Sequence, residues 1–196
     1  MHYIIRLPIF LVKRSGGVML QIGVAAFSGT PLHQHVVCGY EFVDVIAERC
    51  SRDCVLVLGG YSGLMRVIVD AAVEKGLQVM LILPREYEGE RFPSNVLLVR
   101  TGMDSSARSM ILVRSSDVLV ALGGGIGTIV EVFSAYGMFV PVILVSKTGL
   151  PTDRVAETFR DGLIDSRFGR LLYIVESCRE AGEKALMIAR SKKRLS

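Results

Sequence analysis

Several chemistries are missing from this 196-residue chain. Its four cysteines (Cys38, Cys50, Cys54 and Cys178) form no C-x-x-C pair and match no zinc-ligand spacing, and two of them lie inside apolar runs. Cysteines of that kind are expected to be reduced thiols in a cytoplasmic protein. The three histidines (His2, His33 and His35) have no acidic residue close by in sequence, so no metal site is expected. No glycine turn is followed by a Walker lysine, and no complete G-x-G-x-x-G is present. Readings as an NAD enzyme or an ATPase lose their support, and no cofactor is expected. The net charge is only +4 with a pI of about 9.0, and Ser191-Lys192-Lys193-Arg194 supplies much of the excess. Basic residues are not interleaved with aromatics along any stripe, which favours a solvated tail over a nucleic-acid surface. The apolar start is interrupted by Arg6 and Pro8 and has no small-residue cleavage site. Neither a signal peptide nor a membrane span is expected there. Residues 1–18 read as an N-terminal extension, because Met19 stands directly before the first convincing strand. There is no internal repeat and no linker, so residues 19–196 read as a single domain.

What is present is an alternation of short apolar, β-branched runs with helical patterns. Strands are predicted at 20–27, 54–58, 78–83, 95–100, 117–122, 142–145 and 171–175. Helices are predicted at about 35–49, 64–75, 104–114, 127–137, 152–163 and 177–190. Gly76 reads as the stop of the second helix, Thr152 as the N-cap of the fifth, and Asp153 as favouring that helix's N-terminal dipole. Residues 84–94 are charged and hold Gly89 and Pro93, which reads as a mobile loop. Strands alternating with helices predict an α/β fold, a Rossmann-like, three-layer, doubly wound parallel sheet of about seven strands.

The chain is organised around residues 117–131. An apolar run is followed by Gly123, Gly124, Gly125, Ile126, Gly127 and Thr128, and then by Ile129, Val132, Phe133 and Tyr136 at helical spacing. A strand, a glycine turn and a helix start make an anion site. Glycines let amide N–H groups approach a ligand, and the first helical turn has unpaired donors at the positive end of its dipole. Two further loops follow strands in the same way. They are Ser28-Gly29-Thr30, and Gly59-Gly60 leading to Gly63. In a doubly wound sheet, ligands sit beyond the carboxyl ends of the strands where the strand order reverses.

Taken together, two of these loops resemble a known superfamily. Gly59-Gly60-x-x-Gly63-Leu64-Met65 resembles the GGGxxGLM motif of the lysine-decarboxylase-like (LOG) proteins, which are cytokinin riboside 5′-monophosphate phosphoribohydrolases. The segment 124–131, from Gly124 and Gly125 through Gly127 and Thr128 to Glu131, resembles their PGGxGTxxE motif. The resemblance runs over residues 21–145. It implies phosphate or nucleotide binding through the three loops. It further implies catalysis by Arg108 and Glu131, with the carboxylate steadying the ribose or activating water as charge develops at C1′. LOG-type proteins pair through helices beside the site, so the resemblance also implies a homodimer or an assembly of dimers. Three positions depart from the hydrolases. Gly123 replaces proline, Val130 replaces the first of two glutamates, and Ser109 replaces lysine after the arginine. These departures bring the chain closer to a branch of nucleotide-binding Rossmann proteins that resembles molybdenum-cofactor carriers. The alternative to hydrolysis is therefore a non-catalytic carrier or sensor of an AMP-like nucleotide or pterin phosphate. A DNA-binding role, also found in this superfamily, is disfavoured by the weak basic signature.

Overall fold

The structure, a computed structural model, describes residues 13–14, 17–50 and 52–194. The extension expected over residues 1–18 lies largely outside them. Its described part is a two-residue antiparallel ribbon that pairs Lys13–Arg14 with Gly17–Val18. From there the chain alternates. In order the elements are β1 (Leu20–Ala25), α1 (His33–Cys50), β2 (Cys54–Leu58), α2 (Gly63–Glu74), β3 (Gln78–Leu83) and β4 (Leu97–Arg100). Then come α3 (Ser105–Arg114), β5 (Val118–Ala121), α4 (Ile126–Gly137), β6 (Val142–Val145), α5 (Asp153–Thr158), β7 (Leu172–Val175) and α6 (Cys178–Arg194).

The seven strands form one parallel sheet in the order β4-β3-β2-β1-β5-β6-β7. Sequence-neighbouring strands run outward from β1 in one direction and from β5 in the other. The order therefore reverses between β1 and β5, and the crevice at their carboxyl ends is the switch point. The central strands are covered on both faces, which is why β2 reads CVLVL with every residue buried. Alternate side chains feed two cores. Ile22, Val24, Leu56 and Leu58 pack with Phe42, Leu64 and Ala185 from α1, α2 and α6. Val55, Val57, Leu119 and Ala121 pack with Leu112, Val132 and Val155 from α3, α4 and α5. Each large side chain fully buried in this way contributes about 1.5–3 kcal/mol of transfer free energy. The three layers and the parallel sheet are those expected.

Small residues bring the first helical layer close together. A Cβ on Gly182 of α6 would press on Val45 of α1, and one on Gly39 of α1 would meet Leu64 and Ile68 of α2. The reduced thiols expected from the sequence are not found. Cys38 on α1 is disulfide-bonded to Cys178 at the start of α6, with Cα atoms 5.2 Å apart. Cys50 at the end of α1 is bonded to Cys54 at the start of β2, with Cα atoms 5.7 Å apart. The physical reason is the α1–α6 packing in one case and a tight α1–β2 connection in the other. Both bring Cα atoms to disulfide separation, and neither uses a C-x-x-C spacing.

Two other expectations are corrected. The fifth helix stops at Thr158 instead of running to residue 163, because Phe159 leaves helical geometry and Gly162 turns at φ 76°. Thr152 stands at the N-cap position as expected, but its hydroxyl makes no cap and instead accepts the Gly124 N–H at 3.0 Å. Asp153 lies in the first turn, but its carboxylate accepts the Thr148 and Gly149 amides. No helix among the described residues is long and apolar enough to cross a membrane.

Candidate functional site

At the carboxyl ends of β1, β2 and β5 lies a cleft of about 430 Å³. One wall is the start of α4. Gly125 occupies the N-cap position and offers no side-chain cap, so the amides of Ile126, Gly127 and Thr128 are the orphan donors of a first helical turn. Gly125, Ile126, Gly127 and Thr128 all line the cleft. Behind them, Gly124 is fixed in both directions. Its N–H goes to Thr152 Oγ1, and its carbonyl accepts the Thr152 N–H at 3.1 Å. Gly123 turns at φ 101°, a conformation proline cannot adopt. The departure from the hydrolase motif at this position thus has a backbone counterpart.

The opposite wall carries Ser28 from the β1–α1 loop, Gly59, Gly60, Tyr61 and Ser62 from the β2–α2 turn, and Met65 from the first turn of α2. Gly63 lies beneath this wall. It sits at φ 53°, and a Cβ there would run into the backbone of Phe27, Ser28 and Gly29. That close approach lets the Leu64 N–H reach the Phe27 carbonyl at 2.8 Å and locks the two loops together. Leu64 is wholly buried in the core.

The floor is an ion pair. Arg108, on α3, places Nη1 3.3 Å from Oε1 of Glu131, on α4. Both residues are buried, at 8% and 7% exposure. The Ser109 hydroxyl lies 2.9 Å from the same Oε1. Helix α3 is held in place by Asp104, whose carboxylate caps the Ser106 and Ala107 amides. Gly59 makes room for the guanidinium, which packs where a Cβ would otherwise stand. Arg108 Nε is buried with no hydrogen-bond partner. Burial pushes the Glu131 carboxyl above the ordinary carboxylate range, against the opposing pull of Arg108 and Ser109. Burial also draws Arg108 down, opposed by Glu131 and Glu86. A guanidinium keeps its proton at physiological pH, so Glu131 is the member of the pair whose charge can change.

Of the residues singled out from sequence, the cleft gathers Ser28, Gly59, Gly60, Met65, Arg108, Gly125, Ile126, Gly127, Thr128 and Glu131. Gly29, Gly63, Leu64, Gly123 and Gly124 are not on its surface and instead shape the loops that are. The sequence did not single out Tyr61, Tyr87 or Glu90, and it marks Ser109 only as a departure from the hydrolases. The place of Ser109 beside Arg108 on one helix is the signal that could have found it. Tyr87 and Glu90 reach the cleft from the loop at residues 84–94, which is tied back by Arg85 to the Gly102 carbonyl and by the Gly102 N–H to Glu88. His35 has a structural role. Its Nδ1 accepts the Leu32 N–H, which leaves Nε2 to donate to the Thr148 carbonyl at 2.8 Å.

The glycine loops, the buried pair and the strand order define a protein of the LOG-like superfamily. The chain belongs to the SLOG cluster4 family, whose sequence model matches residues 19–171. It is 37% identical over 95 residues to the cytokinin riboside 5′-monophosphate phosphoribohydrolase LOG3 of Arabidopsis thaliana, a match covering 45% of this chain and 42% of that protein. The chain thus spans under half the length of that relative. Among solved structures, TM1055, a structural-genomics target, is 30% identical with a TM-score of 0.72. That match covers 88% of this chain and 99% of the other. The molybdenum cofactor carrier protein of Chlamydomonas reinhardtii is 27% identical with a TM-score of 0.70, again over 88% and 99% of the two chains.

Proposed function

We propose that the cleft binds a nucleoside 5′-monophosphate-like ligand, with its phosphate on the first turn of α4 and its ribose over the Arg108–Glu131 floor. One observation carries this reading. The uncapped amides of α4 and a buried carboxylate of the same helix open into one cleft. Glu131 lies three to five residues beyond those amides, about 5–7 Å along the helix axis. That spacing keeps the carboxylate off the phosphate, which it would repel, and suits the sugar hydroxyls. On this reading the chain hydrolyses the N-glycosidic bond slowly or for a narrow substrate range. Arg108 orients the ligand, and Glu131 answers the positive charge that develops at C1′.

The second reading is a carrier or sensor that binds such a ligand, or a pterin phosphate, without turning it over. Its support is the fit of the molybdenum cofactor carrier over nearly its whole length, together with Val130, an apolar side chain on the cleft edge. Incubation with AMP decides between them. Adenine release that falls by orders of magnitude in Glu131→Gln, with a smaller change in affinity, supports the hydrolase. Tight binding with no free base supports the carrier. Brisk release unaffected by Glu131→Gln refutes the role given to that residue.

We also propose a homodimer. Ile126, Val130 and Phe133 leave an apolar ridge exposed on α4 beside the cleft, of the kind that interfaces cover. A monomer mass by light scattering at micromolar concentration would overturn it.

A further inference from the structure

Ser109 has two acceptors in reach and one proton to give. Its Oγ lies 2.9 Å from Glu131 Oε1 and 3.0 Å from the Ser105 carbonyl one turn back on α3. A hydroxyl can also accept. When Glu131 is ionised, the charge-assisted bond is the stronger one, and Ser109 donates to Oε1. When Glu131 is protonated at Oε1, the direction reverses. The carboxyl donates to Ser109, and Ser109 turns its own proton to the Ser105 carbonyl. In both states the Ser109 hydroxyl keeps a hydrogen bond to Oε1. A lysine, which the similar hydrolases carry here, has three donors, no acceptor and a positive charge, so it would favour the ionised form.

We propose that Ser109 is a positioning residue that holds Glu131 in place in both of its protonation states, so that this carboxyl can take a proton from the cleft and return it. The remaining clamp on Oε1 is Arg108, whose contact is the longer one at 3.3 Å and whose Nε is left without a partner. The hydroxyl is therefore the closer of the two contacts that fix the carboxylate. Arg108 on α3 is the charged group against Glu131, while Tyr61 from the β2–α2 turn and Tyr87 and Glu90 from the β3–β4 loop line the same cleft. Burial of Glu131, which favours the protonated form, acts in the same direction as this relay. The inference rests on the reading that Glu131 faces a bound ribose, but it concerns contacts that exist without ligand.

The test is therefore made in two parts. Carboxyl ¹³C NMR follows the titration of Glu131 in the ligand-free protein. Ser109→Ala should move the midpoint upward by removing a donor to the ionised form, Ser109→Lys should move it downward, and Ser109→Thr, which keeps the hydroxyl, should restore the wild-type value. An unchanged midpoint in Ser109→Ala, or Ser109→Thr behaving like Ser109→Ala, overturns the proposal. Calorimetry with AMP and with inorganic phosphate then reads the consequence. Ser109→Ala should weaken AMP binding about tenfold and leave phosphate affinity as it is, and equal loss for both ligands counts against positioning of the carboxylate. Failure of wild type to bind AMP refutes the nucleotide reading alone, because the shift of the Glu131 midpoint in the Ser109 variants is measured without ligand and still supports or overturns the role of Ser109.

Discussion

Gly59→Ala tests the floor of the cleft without touching a charged residue. A Cβ at this position would stand 2.5 Å from Arg108 Cζ and 2.8 Å from Nη2, and nearer still to Nη1. Ordinary contact begins at roughly 3.4 Å, so the guanidinium must retreat by about 1.5 Å. The Arg108–Glu131 contact is already 3.3 Å, and such a retreat takes it out of hydrogen-bonding range. A lost hydrogen bond to a charged group costs about 1.5–3 kcal/mol, which is about ten- to a hundredfold in affinity for a ligand that uses the pair. The obstacle is the end of a flexible side chain, so the fold should survive. Gly60→Ala is the matched control, because its Cβ would meet only Met65 Cε at 3.7 Å. The assay is calorimetric titration with AMP, checked by thermal melting. Gly59→Ala should lose most of the affinity and Gly60→Ala little. Adding Gly59→Ala to Arg108→Ala should then cost almost nothing more, since the two changes act on one interaction. The reasoning is refuted if Gly59→Ala binds like wild type, or if the two losses simply add.

Two further outcomes are expected. Gly125→Val should abolish AMP binding with the melting temperature little changed, because a Cβ there would meet no protein atom within 4 Å and Gly125 lines the cleft beside the first-turn amides; unaltered affinity by calorimetry would remove the phosphate from this loop. The two disulfides should differ in their effect on stability. Cys38–Cys178 closes 140 residues and Cys50–Cys54 closes four. On the chain-entropy model the first stabilises by about 3 kcal/mol more, so paired alanine replacements should lower the melting temperature far more at Cys38 and Cys178. Equal melting temperatures, or thiols that react freely without reductant, count against it.

The sheet was legible because parallel strands buried on both faces leave continuous apolar runs. The edges of β2, β3 and β6 fall where those runs begin and end. The capping of α5 was not legible, since the Thr152 hydroxyl accepts the N–H of Gly124, 28 residues away in sequence. The cysteine pairs were hidden for the same reason. Cys38 and Cys178 meet only once α1 and α6 have packed. Within the site, the glycine motifs were found but their parts could not be ranked. A glycine that admits a ligand looks the same in sequence as one that admits a neighbouring chain segment (Gly63) or a guanidinium (Gly59). Arg108 and Glu131 were legible through resemblance, and the structure brings them together. Ser109 was marked only as a departure from the hydrolases, because its partner Glu131 lies on another helix.

Two departures from the hydrolase pattern have a joint electrostatic consequence. Val130 removes a carboxylate and Ser109 removes a cation. Losing one charge of each sign leaves the net charge of the cleft unchanged. It also reduces the floor to one carboxylate paired with one guanidinium. General acid–base hydrolysis that divides its work between two carboxylates then has to find the second one elsewhere. Among the residues lining the cleft, the other carboxylate is Glu90, an exposed side chain on the β3–β4 loop. It is not set by α3 or α4 as Glu131 is. On the nucleotide reading, binding should therefore be well supported by the cleft, while turnover depends on a single carboxyl whose proton Ser109 helps to manage. Slow base release that tracks the protonation of Glu131 is the behaviour this arrangement implies, and rapid release independent of pH across that titration would contradict it.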